Sequence, residues 1–224
     1  MILSQANIYA KNFPVRPSDS VVFENFLTLL SELSIDLSRP IHSPKSSQEI
    51  ILDVACGTGE SALRLQEKNP DSLVIGVERS PHRLQKSGLS EVRCGVFRSD
   101  KDSTQKAYPI LLQMDVTRFW ILCFKEKIKF QKQMIFYPNP YPKPKLLQKR
   151  WYAHPLFSLI CSMSESIELR TNLFYYVKTF DQAFQLLTDR PGRFAPFIPS
   201  KPISPFERKY LERHSCLWRW HSGL

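Results

Sequence analysis

Five cysteines in 224 residues are too few and too scattered to build a framework: Cys56, Cys94, Cys123, Cys161 and Cys216 form no C-x-x-C pair. That spacing excludes a zinc knuckle and a disulfide scaffold, and it points to a reduced, cytoplasmic protein. Five histidines (His42, His82, His154, His214, His221) show no ligand spacing, so no metal is expected. Long hydrophobic runs are missing too. Phe119-Trp120-Ile121-Leu122-Cys123-Phe124, one of the longest, is far too short to cross a bilayer, so no membrane partner is expected. Met1 to Ala10 lack the basic start and apolar stretch of a secretory signal. No internal repeat and no nucleophile elbow for Ser-His-Asp chemistry is present. Acids are in deficit, 21 against 31 basic residues, giving a net charge of +10. Apolar residues at 42% still suffice for the core of one large domain with an extension.

What is present starts with Asp53-Val54-Ala55-Cys56-Gly57-Thr58-Gly59. This run follows the apolar Ile50-Ile51-Leu52 and opens into a helix over Glu60 to Lys68. Strand, glycine turn and helix N-terminus make a nucleotide-sized cradle, because glycine lets the backbone approach a ligand that a Cβ would block. Nineteen residues past Gly59, Glu78 ends the apolar run Leu73-Val74-Ile75-Gly76-Val77. An acid there can accept both hydroxyls of a ribose. A dinucleotide fits less well: Ala55 stands where the fingerprint wants its first glycine, and Asp53 and Glu60 would repel a pyrophosphate. They suit a ligand carrying a sulfonium and an amino group. The pattern resembles the S-adenosylmethionine pocket of the class I methyltransferases. Cys56, inside the turn, reads as a small filler.

The pattern along the chain predicts an extension over residues 1–48 and a main domain over 49–224. The extension holds one amphipathic helix near Ser20 to Leu37, capped by Asp19 or Ser20, with Tyr9 to Pro14 extended and Ser38 to Gln48 a linker. Strands are expected at Ile50–Val54, Leu73–Val77, Val92–Phe97, Pro109–Met114, Gln133–Tyr137 and Ser166–Arg170. Helices are expected at Glu60–Lys68, Pro81–Lys86, Val116–Ile128, Pro155–Met163 and Phe174–Thr188, and the tail from Gly192 suggests an antiparallel hairpin. This alternation implies an α/β, Rossmann-like fold with a mostly parallel central sheet and helices on both faces. Ligands in such folds sit beyond the carboxyl ends of the strands, where Asp53, Glu78, Asp115 and Asn139 should converge. Asp115 also suits the N-cap of the following helix.

A second signal is Tyr137-Pro138-Asn139-Pro140-Tyr141-Pro142-Lys143, a loop stiffened by three prolines. It lies in a basic stretch: Lys125 to Trp151 hold eight basic residues and one acid, Glu126, interleaved with aromatics. Lysines that neutralise phosphates beside rings that stack on bases fit a nucleic-acid surface. Lys145, Lys149 and Arg150 are the candidate RNA contacts.

With these motifs the chain resembles the bacterial tRNA (guanine-N7)-methyltransferases. That family carries an F-P-D-P-W-P-K loop and a K-R-R stretch, matched here by Tyr137 to Lys143 and Lys149-Arg150-Trp151. Its later T-D pair corresponds to Thr171-Asn172. Its T-x-F-E and aromatic tail correspond to Ser204-Pro205-Phe206-Glu207 and Leu217-Trp218-Arg219-Trp220. The resemblance implies methylation of a tRNA guanine at N7, with S-adenosylmethionine as cofactor and tRNA as partner. It implies a donor pocket of Asp53, Ala55, Gly57, Gly59, Glu78, Asp115 and Asn139, with Asn139 also catalytic. It further implies substrate contacts from Lys143, Asn172, Ser204, Phe206 and Glu207. Asn139 and Asn172 replace two family aspartates and Ser204 a threonine, so Glu207 is the remaining carboxylate for the base. Three other readings stay open: a methyltransferase acting on an exocyclic or side-chain amine, a non-catalytic RNA-binding protein retaining the fold, and, disfavoured by the basic loop, a small-molecule methyltransferase.

Overall fold

The computed structural model describes residues 8–35, 49–99 and 108–222. The Ser38–Gln48 linker and the polar stretch after Ser99 fall outside them. Contacts divide the chain into two units: residues 14–131, and residues 132–224 together with the stretch before residue 14.

In the unit of residues 14–131, three apolar runs form parallel neighbours. They are β1 (Ile50–Val54), β2 (Leu73–Glu78) and β5 (Ile110–Gln113), with β2 between the other two. Every residue of β1 and β2 is buried, as expected of strands that read as unbroken hydrophobic runs. Gly76 in β2 allows close packing, since a Cβ there would stand 2.6 Å from Leu111 Cδ2 and 2.9 Å from Cys56 Sγ. The single strand expected at Val92–Phe97 is instead a hairpin. β3 (Ser90–Arg93) and β4 (Val96–Arg98) pair antiparallel, and β4 pairs antiparallel with β5. Gly95, at φ 73°, makes the turn.

Helix α1 (Pro17–Glu32) packs on β4, β5 and α4 (Val116–Lys125). It starts earlier than expected, at a proline whose missing N–H costs nothing in a first turn, and Asp19 lies in that turn. It also stops earlier. Ser34, at φ 55°, closes a Schellman motif in which the Ile35 N–H donates to the Leu30 carbonyl at 2.9 Å. A serine in the place usually taken by glycine hid that end from sequence inspection. Residues 8–12 are helical rather than extended. Helix α2 (Glu60–Lys68) has the predicted bounds and packs on β2. The short α3 (Pro81–Leu84) completes the unit.

The other unit begins as β6 (Phe130–Phe136) runs into it. After the proline loop and the short α5 (Phe157–Ser162), β7 (Ser164–Thr171) pairs antiparallel with β9 (Leu217–Ser222). β9 pairs antiparallel with β8 (Gly192–Phe197). Helix α6 (Phe174–Thr188) packs on all three. Trp220, fully buried, lies 4.9 Å from the rings of both Phe180 and Phe184, and its Nε1–H donates to Asp181 Oδ1 at 2.7 Å. The tail does form an antiparallel pair, but α7 (Pro205–Glu212) is inserted between its strands.

The sheet is therefore mixed, which corrects the mostly parallel expectation. β3–β4 is a tight hairpin, and β7, β9 and β8 pair antiparallel although helices separate them in the chain, whereas alternating helices and strands suggested parallel crossovers throughout.

Candidate functional site

The strand ends of the first unit carry three acids. Asp53 faces Gly76 across β1 and β2, Glu78 faces Gln113 across β2 and β5, and Asp115 lies two residues beyond. Asp53 is 1% exposed. Its Oδ2 accepts the Ser61 hydroxyl proton at 2.5 Å from the first turn of α2, while Oδ1 is buried with no hydrogen-bond partner. Burial raises its pKa to about 7, partly offset by the Ser61 bond. A buried carboxylate with an empty oxygen is costly alone and is stabilised by an added cation or N–H donor.

The turn after Asp53 is shaped for close approach. Ala55, Gly57 and Gly59 all have positive φ, at 55°, 62° and 76°. A Cβ on Gly57 would meet nothing within 4 Å, so the space above it is open. One on Gly59 would collide with Leu111 Cδ1 at 2.6 Å. One glycine thus leaves room for a ligand and the other serves packing. The Cys56 thiol is buried and its pKa is pushed well up, by burial first and then by Asp53 and Glu78. It is an inert filler, as the sequence suggested. Glu78, 5% exposed, accepts the Ser80 N–H at 2.9 Å through Oε1, with Arg83 Nη1 at 3.6 Å from Oε2. Asp115 does cap its helix: Oδ1 accepts the Thr117 N–H at 2.9 Å.

In the second unit the proline loop is held at both ends. Tyr137 and Tyr141 have φ of 49° and 41°, a strained conformation for bulky residues that persists only when surroundings enforce it. The Tyr137 hydroxyl donates to Glu207 Oε1 at 2.7 Å, and its ring lies 5.4 Å from Tyr210. At the far end, Asn139 Oδ1 accepts the Tyr141 N–H at 3.1 Å, while the Tyr141 carbonyl accepts from Arg150 Nη2 at 2.9 Å and Nε at 3.2 Å.

Glu207 is fully buried, and both its oxygens are engaged. Oε1 takes Tyr137 and Arg170 Nη1, the latter at 3.1 Å, and Oε2 accepts the Ile203 N–H at 2.7 Å. Ser204 is the N-cap of α7, its hydroxyl accepting the Glu207 N–H at 3.2 Å. Arg170 lies between the rings of Phe136 and Phe197, 5.0 and 5.2 Å from their centroids, and bonds Glu168 at 2.6 Å. Burial and Glu207 push the Tyr137 pKa upward. Glu207 is thus an internal hub rather than a carboxylate presented to a base.

The remaining candidates divide similarly. Lys143, Lys145 and Lys149 are exposed, with Lys149 Nζ 5.8 Å over the Tyr141 ring, whereas Arg150 is committed to the loop. Asn172 is half-buried beside the buried Thr171, and Phe206 is 45% exposed. Ser61 and Arg170 were missed by sequence reasoning, and Asp19 was read only as a helix cap, a place that Arg16 takes. Ser61 had a weak signal, a hydroxyl in the first turn after the glycine loop. Arg170 had none, since Glu207, Phe136 and Phe197 are far from it in sequence. Among the described residues, no group of His, Cys, Asp and Glu could hold a metal ion, and no helix is long and apolar enough to cross a membrane.

A family model described as "Putative methyltransferase" matches residues 47–187. The chain belongs to this methyltransferase family. The match spans both the glycine turn and the proline loop. This methyltransferase is 23% identical over 202 residues to the tRNA (guanine-N(7)-)-methyltransferase of Mycoplasma genitalium, covering 84% of this chain and 90% of the relative. Among solved structures it is similar to the 16S rRNA methyltransferase KamB, with a TM-score of 0.53, 11% identity, and 89% and 92% of the two chains covered. It is also similar to a 16S rRNA (adenine(1408)-N(1))-methyltransferase from Catenulisporales acidiphilia, solved with its cosubstrate SAM. There the TM-score is 0.52 at 13% identity, over 87% and 88% of the chains. At such identities these structures establish the α/β methyltransferase fold alone.

Proposed function

We propose that this methyltransferase uses S-adenosylmethionine to methylate N7 of a guanine in tRNA. The observation that carries the donor assignment is the buried, unpartnered Oδ1 of Asp53 beneath an open glycine turn. A cationic amine supplies what that oxygen lacks, and it draws the Asp53 proton off near neutral pH. Glu78 retains acceptor capacity for ribose hydroxyls beyond its bond to Ser80. Asp115 Oδ1 serves the cap, which leaves Oδ2, 3.8 Å from Arg118 Nη1, to meet an adenine amine. When bound, the donor contributes an activated methyl group on sulfur.

The chain's own task is then mostly positioning. Guanine N7 offers an in-plane lone pair, so no general base is needed, and holding it in line with the methyl group supplies the rate. The doubly clamped proline loop is a stiff support suited to a planar base. Asn139, with Oδ1 turned to the Tyr141 N–H, offers its amide N–H groups to an acceptor such as guanine O6. That arrangement favours a purine edge over an amine, which would need the amide oxygen. Exposed Lys143, Lys145 and Lys149 suit the phosphates of tRNA, a partner encountered in the cytoplasm. The motif match and the Mycoplasma relative support tRNA as the substrate class.

Nucleoside mass spectrometry of tRNA incubated with the protein and methyl-labelled donor tests this. Label in 7-methylguanosine is the expected result. Label on an exocyclic amine, or donor binding with no transfer to RNA, would replace the proposal with one of its rivals.

A further inference from the structure

Helix α1 reaches the Asp115 strand end through one side chain. Asp19 is 6% exposed, and its Oδ1 accepts the Asp115 N–H at 3.3 Å. Its Oδ2 lies 3.3 Å from Arg118 Nε, whereas Arg118 Nη1 is 3.8 Å from Asp115 Oδ2. The guanidinium is therefore shared between two carboxylates and sits nearer to Asp19. The helix that carries Asp19 is itself fixed. Phe23 and Phe26 pack edge-on against Phe119 at 6.0 and 6.1 Å, and a Cβ on Gly95 would stand 2.3 Å from Val22 Cγ2. Asn25 Nδ2 also donates to the Cys94 carbonyl at 3.2 Å.

We propose that Asp19 is a positioning residue for the donor site: it holds the Asp115 corner and draws Arg118 away, leaving Asp115 Oδ2 available to the donor. The inference rests on the assignment of Asp115 to donor binding above. It also gives the N-terminal segment a definite role. Asp19 does not itself touch the donor. Without its charge, Arg118 closes on Asp115 and competes for the oxygen that an adenine amine would use.

Calorimetric titration of S-adenosylhomocysteine into the full chain tests this. Asp19→Asn keeps an acceptor for the Asp115 N–H but removes the charge that draws Arg118 from Asp115, and should raise Kd about tenfold. Adding Arg118→Gln to that variant should bring Kd back to within about threefold of wild type, while tRNA affinity stays unchanged in both. A scaffolding role alone would give no such rescue. An unchanged Kd in Asp19→Asn, or a double variant as weak as the single one, overturns the proposal. If the wild-type chain binds no donor at all, the donor assignment falls instead. Amide exchange then decides the Asp19 question: Asp19→Ala should speed exchange at Asp115 roughly tenfold, and unchanged exchange overturns it.

Discussion

Two buried carboxylates, one in each unit, are treated in opposite ways. Asp53 has an oxygen with nothing to accept from, and its pKa is raised to about 7. Glu207, even more deeply buried, has a hydroxyl, a guanidinium and a backbone N–H around it. Burial is thus a poor guide to role, and hydrogen-bond satisfaction separates the two. On that contrast we read Glu207 as scaffold and propose Asp53, beneath its open glycine turn, as the ligand site. The contrast also reverses the expectation that Glu207 is the carboxylate left to recognise a base.

The comparison breaks most readily at Glu207. Glu207→Ala strands Arg170, releases Tyr137 and leaves the Ile203 N–H without its acceptor, so unfolding free energy should fall by about 3–5 kcal/mol in a denaturant titration. A loss below about 1 kcal/mol would mean that the hub is not structural. Asp53→Asn should do the reverse in the donor-free protein. The folded state holds the Asp53 proton up to about pH 7 against 3.8 for an ordinary side chain. Its contribution to stability is therefore fully present below about pH 4 and is lost as pH rises through 7. The asparagine variant should be more stable than wild type at pH 8, by about 2 kcal/mol, with the gap closing near pH 4.

Smaller effects separate the clamp of the loop from its charges. Lys145→Ala with Lys149→Ala should weaken tRNA binding and reduce the slope of log K against log salt by roughly 1–2. Arg150→Ala should instead lower kcat at nearly constant salt slope, because it lets go of the Tyr141 carbonyl. Equal behaviour of the two variants would erase that distinction. Smallest of all, Ala55→Gly relieves a left-handed alanine and should stabilise the chain by about 0.5–1 kcal/mol, read as a thermal shift.

Much of the first unit was legible because its signals are local. Buried parallel strands read as apolar runs, and the glycine turn fixed the end of β1 and the start of α2 to the residue. The cap at Asp115 was legible for the same reason. The Schellman end of α1 was not, since a serine replaced the usual glycine. Antiparallel pairing at Arg170–Arg219 and the insertion of α7 are long-range facts that no short window contains. The site followed the same rule. Asp53 and Glu78 could be placed from spacing, but the capture of Glu207 by Tyr137 and Arg170 depends on residues 70 and 37 positions away.

The central claim is that Asp53 awaits a cationic methyl donor, and calorimetry across pH addresses it most directly. Titration of S-adenosylmethionine in buffers of different ionisation heat should show tighter binding at pH 7.5 than at pH 6.0, by roughly fivefold to tenfold. Close to one proton should be released per donor bound at the lower pH, and the release should vanish in Asp53→Asn. Binding without proton release in the wild-type chain, or no binding at either pH, would contradict the account.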